Sequence, residues 1–106
     1  MPNDCWTTIE MVGPCALDAF REHYDDAPLE CCRLTSTQPV TFKLYSRWVP
    51  PKDQLLAISR QYGLWIRATY EIEYGCAESG MYIVHRGEIL VDASYIDRTL
   101  NYTIPE

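Results

Sequence analysis

The stretch Thr41-Phe42-Lys43-Leu44-Tyr45-Ser46-Arg47-Trp48-Val49-Pro50-Pro51, running on into Lys52 to Tyr62, decides how this chain folds. Its first eight residues alternate. Phe42, Leu44 and Trp48 face one way and Lys43, Tyr45 and Arg47 the other, the period of a half-buried strand. Two prolines then stop the strand. Proline holds the residue before it extended, yet fits a helix's first turn, where its missing N–H has no partner to lose. The helix that follows runs from Pro51 to Tyr62, with a core stripe of Leu55, Ile58 and Tyr62 at i, i+3, i+7, flanked by Leu56 and Ser59. Gly63 is its expected C-terminal cap. Trp48 is expected to be buried where strand meets helix.

Downstream, Trp65 to Tyr74 is the clearest strand: Ile66, Ala68, Tyr70, Ile72 and Tyr74 alternate with Trp65, Arg67, Thr69, Glu71 and Glu73. Gly75 to Gly80 reads as a hairpin loop, and Met81 to His85 as the returning antiparallel strand. Arg86-Gly87-Glu88 turns into a short apolar run, Ile89-Leu90-Val91, and the tail from Asp92 extends the sheet or lies across it. Upstream, Trp6 to Val12 is a strand with Ile9 and Met11 on one face and Thr8 and Glu10 on the other, ended by Gly13-Pro14. A helix from about Cys15 to Tyr24 buries Leu17, Phe20 and Tyr24, and carries Asp18, Glu22 and Asp25 at i, i+4, i+7 on another face. Leu29 to Pro39, rich in Thr, Ser and Cys, is the least structured stretch. The order strand, helix, strand, helix, strand, strand packs most simply as an α+β sandwich, an antiparallel-rich sheet with two helices on one face. The other face is then left to solvent or to a partner.

At 106 residues the chain makes one domain, residues 1–106, able to bury a modest core without metal or disulfide support. Its 47% hydrophobic and 23% charged content is that of a soluble globular protein. No apolar run approaches the roughly 20 residues of a membrane span, and the N-terminus lacks a signal-peptide pattern, so a cytoplasmic protein is expected. Five cysteines, an odd number without a C-x-x-C pair, read as reduced thiols. Cys31-Cys32 beside His23 matches no common ligand spacing, and small half-buried hydrophobes are the favoured reading over a metal site. The net charge of −6 is uneven. Residues 1–32 hold seven acids against Arg21 alone, while residues 33–106 hold eight acids and eight bases.

Met1-Pro2-Asn3 with Cys5, then a strand ending at Gly13, resembles the opening of a ferredoxin-like family carried by phages and plasmids, the YubB-like or Api-type proteins. Phe42, Ser46, Trp48, Pro50-Pro51, Leu55, Ser59, Tyr70, Glu73, Gly75, Gly80 and Tyr82 are similar to its second half in order and spacing. Asp4 departs from the tryptophan usual there, and the Trp/Gly-rich insertion typical of the family's middle is absent between Asp26 and Val40. The resemblance implies a ferredoxin-like fold and a mobile-element origin. It brings no catalytic residues.

A hydrolase or nuclease needs convergent acids, a histidine or an activated nucleophile, and neither His23 nor His85 sits in such a pattern. Cys76 has Glu73 and Glu78 nearby, which raise rather than lower its pKa. No enzyme, cofactor or metal is expected. A nucleic-acid binder could stack bases on an open sheet face carrying Tyr45, Arg47, Trp65 and Arg67, against which stand the net charge and a pI of about 4.8. A protein binder could use the acidic surface of Asp18, Glu22, Asp25, Asp26 and Glu30 to steer onto a basic, nucleic-acid-holding surface of a host complex. The same acids could equally be a solvated face that keeps the chain soluble. Small acidic phage proteins often inhibit host machinery, including nucleic-acid-guided defence of the CRISPR type. Binding and inhibiting such a complex is the expected function, and single-stranded nucleic-acid binding on the sheet face is the alternative.

Overall fold

The strand that organises the fold is the first one. In the computed structural model, which describes residues 4–28, 30–47, 50–73 and 77–97, β1 (Asp4–Val12) pairs antiparallel with β3 (Val40–Arg47) on one side and β4 (Trp65–Glu73) on the other. With α1 (Ala16–Tyr24), β2 (Cys32–Thr37), α2 (Lys52–Tyr62), β5 (Ala77–His85) and β6 (Glu88–Asp97), the six strands form one sheet in the order β2-β3-β1-β4-β5-β6. Two interleaved β-α-β crossovers, β1-α1-β2 and β3-α2-β4, make the ferredoxin-like α+β unit, and β5 and β6 continue it as an antiparallel meander.

Both helices cover the same sheet face. Ile9, Met11, Val40, Phe42, Ile66, Ala68 and Val84 point from the strands into Ala19, Phe20, Tyr24, Leu55 and Ile58, all buried. Phe42 is the hub of the α1 side: its ring lies 4.8 Å from that of Phe20 and 4.9 Å from that of Tyr24, centroid to centroid. Burying a side chain of this size stabilises by about 1.5–3 kcal/mol. That packing, rather than local signals, holds α1, because its N-cap residue Cys15 makes no capping side-chain bond.

At α2 the sequence signals do operate. Pro51 is the N-cap residue, and Gly63 closes the helix in the left-handed region at φ 67°. Buried Ser59 then ties the helix end to the sheet. Its hydroxyl donates to the Leu64 carbonyl oxygen at 2.7 Å and accepts the Gly87 N–H at 3.1 Å.

Three expectations change. The segment read as the least structured, Leu29 to Pro39, contains β2, an edge strand whose Arg, Thr and Ser residues carry little apolar signal, with a register shift between Leu34 and Ser36. Pairing with β3, not composition, makes it a strand. Ala77 to Gly80 belong to β5 rather than to a hairpin loop, whereas the tail from Asp92 takes the first of its two expected courses and extends the sheet as β6 as far as Asp97. Leu17 is only half-buried, with Ala16 and Ala19 completing the α1 core face instead. The expected burial of Trp48 and the setting of Cys76 lie outside the described residues.

Candidate binding surfaces

The sheet face away from the helices carries Trp6, Thr8 and Glu10 of β1, Thr41, Lys43 and Tyr45 of β3, and Arg67, Thr69 and Glu71 of β4. The register fixes which of them are neighbours. Trp6 lies between Tyr45 and Glu71, Thr8 between Lys43 and Thr69, and Glu10 between Thr41 and Arg67. Trp6 is 42% exposed, and its ring leans on that of Tyr45 at 5.3 Å with the planes tilted by 59°. β2 adds Arg33 directly opposite Lys43. Above this row lies a hollow of about 640 Å³ whose walls include Trp6, Glu30, Arg33, Lys43, Glu71 and Met81.

The sheet-face set read from the sequence is not gathered into one place. Arg47 pairs with Asp4 at one end of β1 and Trp65 with Val12 at the other, eight steps of about 3.4 Å apart, or ~27 Å. Arg67 is also engaged, since its guanidinium holds the Glu10 carboxylate at 3.0 Å. Of the four, Tyr45 alone borders the Trp6 row. Trp6 and Arg33 were missed. Trp6 occupies a polar-face position of β1 that alternation alone could have flagged, whereas the pairing of Arg33 with Lys43 exists only because β2 forms.

The acidic set is divided as well. Asp18 and Glu22 are exposed on α1, Asp25 caps its C-terminal end and Asp26 follows it, all exposed. Glu30 instead borders the hollow on the opposite side of the sheet. The Tyr62 hydroxyl at the end of α2 donates to the Glu22 carboxylate. That hydrogen bond, with partial desolvation and the charges of Glu22 and Asp18, pushes the Tyr62 phenol up to about 12. Among the described residues the ion pairs are Lys52 with Asp92 at 2.6 Å and Arg67 with Glu10 at 3.0 Å. None of the α1 acids is in one.

His23 stacks edge-on against Tyr62 at 6.0 Å, with its Nε2 buried and unpartnered. Among the described residues no three His, Cys, Asp or Glu side chains come together to hold a metal, so His23, Cys31 and Cys32 do not form one site. Cys15, Cys31 and Cys32 are free thiols, and buried Cys5 has its sulfur 3.8 Å from the Thr7 hydroxyl. Burial pushes the Cys32 thiol up, with Cys31 adding to the effect. Among the described residues no helix is long and apolar enough to cross a membrane.

Residues 22–101 match a family described as the ferredoxin-like domain in Api92-like protein. The matched span takes in the end of α1 and everything from β2 to β6, while β1, the central strand, lies before it. No curated protein and no solved structure matches the chain.

Proposed function

The chain belongs to the family of ferredoxin-like domains in Api92-like proteins, and we propose on that premise that it is a small non-enzymatic protein of a phage or other mobile element. In this reading it acts in the host bacterial cytoplasm by binding and inhibiting a host complex, of the nucleic-acid-guided defence (anti-CRISPR) type, through the acidic end of α1. One observation carries the reading. The ion pairs among the described residues lie elsewhere, Glu10 with Arg67 and Asp92 with Lys52, whereas Asp18, Asp25 and Asp26 cluster at α1, exposed and in no ion pair. Uncompensated carboxylates on a firm helical scaffold suit a surface built to hold phosphates, and their main effect is on the rate of encounter.

The test is capture of host complexes from nuclease-treated lysate, followed by association rates with the captured complex at low and high salt. Wild-type association should slow as salt rises. Asp18→Lys/Asp25→Lys should bind slowly at both salt concentrations while melting like the wild type. A double reversal that associates as fast as the wild type removes the acidic surface from the mechanism.

A further inference from the structure

We propose that the hollow on the open sheet face binds a single nucleotide unit, a nucleobase carried with one phosphate group. This site is separate from the α1 surface and does not depend on it. Three features of the hollow correspond to three parts of such a ligand.

The first is the stacking surface. Trp6 stands on the central strand, braced by Tyr45 yet 42% exposed, and an exposed indole on a rigid sheet takes a planar base without regard to its identity. The second is the anion site. Arg33 and Lys43 are direct partners across β2 and β3, both exposed, and neither forms an ion pair among the described residues. Lys43 lies on the diagonal from Trp6, about 7–8 Å away at the backbone, close enough for one ligand to reach both. The third is an acceptor. Glu71 is the β4 neighbour of Trp6, placed to receive the amino group of a stacked base.

The charge count sets the size of the ligand. Arg33 and Lys43 share the lining of the hollow with Glu30 and Glu71, which leaves it neutral as a whole, and the next base along the sheet, Arg67, is consumed by Glu10. The adjacent Arg33–Lys43 pair can hold one phosphate, but a strand with a charge at every nucleotide finds no continuing basic track. The volume of about 640 Å³ falls among small-ligand sites, which span about 300–1,000 Å³. The net charge of −6 does not forbid an anion here. The α1 acids sit in the layer beyond the sheet, about 10 Å away, a distance comparable to the ~8 Å screening length at physiological salt.

Calorimetric titration of the full chain with adenosine monophosphate, adenosine, inorganic phosphate and a single-stranded decanucleotide tests the site. Adenosine monophosphate should bind saturably, with adenosine and phosphate each weaker by about tenfold or more. Trp6→Ala should abolish binding of both adenosine and its monophosphate. Arg33→Gln/Lys43→Gln should leave adenosine unchanged and remove the advantage of the phosphate. Circular dichroism and urea midpoints confirm that the variants fold, and Asp18→Lys/Asp25→Lys should bind the nucleotide as the wild type does. The proposal fails if adenosine monophosphate gives no binding, if binding survives both sheet-face variants, or if the decanucleotide binds and the mononucleotide does not.

Discussion

Gly80 of β5 lies against the ring of its register partner Tyr70 on β4: a side-chain carbon there would run into the Tyr70 hydroxyl and, at 2.6 Å, into the Ala93 carbonyl oxygen of β6. Tyr70 is buried only because that position is empty. Lys52 reads the same corner from α2, its ammonium 5.4 Å from the Tyr70 ring, 5.5 Å from the Tyr82 ring and paired with Asp92. Gly80→Ala should therefore destabilise by about 1–3 kcal/mol, the usual range for overpacking. Urea denaturation measures this. Adding Tyr70→Leu to the same chain should recover part of the loss, and a fully additive double mutant would show that the two positions do not compete.

Ser59 is fully buried, and its hydroxyl serves two backbone groups at once, the Leu64 carbonyl oxygen and the Gly87 N–H. Ser59→Ala leaves the Gly87 N–H without this acceptor, while the Leu64 carbonyl oxygen keeps the Arg86 N–H at 3.1 Å. The expected loss is about 1–3 kcal/mol, with faster hydrogen exchange at the Gly87 amide as the local signature. An unchanged urea midpoint would mean that the turn between β5 and β6 is held by other contacts.

Alkaline pH should weaken the fold. The hydrogen bond to Glu22 raises Tyr62 to about 12, and burial raises Tyr24 and Tyr82 above the ordinary tyrosine value. A phenol whose folded pKa lies above its unfolded one contributes stability that is complete below the unfolded value of 10.0 and is lost as pH rises through the folded value. Urea midpoints should accordingly fall from about pH 10 upward. Tyr62→Phe should fall less steeply than the wild type across the interval from 10.0 to about 12. Parallel falls in the two chains would remove the Glu22 contact from the account.

Thiol reactivity should follow burial. In a Cys76→Ser chain under native conditions, exposed Cys15 should react first and half-buried Cys31 next. Cys5 and Cys32 should wait for unfolding, Cys32 doubly so because burial disfavours its thiolate. Titration of the denatured wild type without reductant should count all five cysteines as free. A stable disulfide in that titration would contradict the expected reducing compartment.

What the sequence determined by itself is what short-range physics can encode. The prolines at 50 and 51 start α2, Gly63 ends it, and the alternation from Trp65 onward makes a strand that buries Ile66, Ala68 and Tyr70. The acids of α1 were legible too, because helical spacing alone puts Asp18 and Glu22 on one exposed face. Tertiary structure decided the rest. Cys32–Thr37 is a strand because β3 offers it an edge, a condition that no property of those six residues states. The placement of β1 between β3 and β4 joins residues far apart in sequence, which is why Trp6, Lys43 and Glu71 share one hollow, and why Arg47 of β3 and Trp65 of β4, both read as sheet-face residues, pair with opposite ends of β1. Periodicity assigns a residue to a face. Only the register of strands distant in the chain assigns its neighbours, and a binding site is made of neighbours.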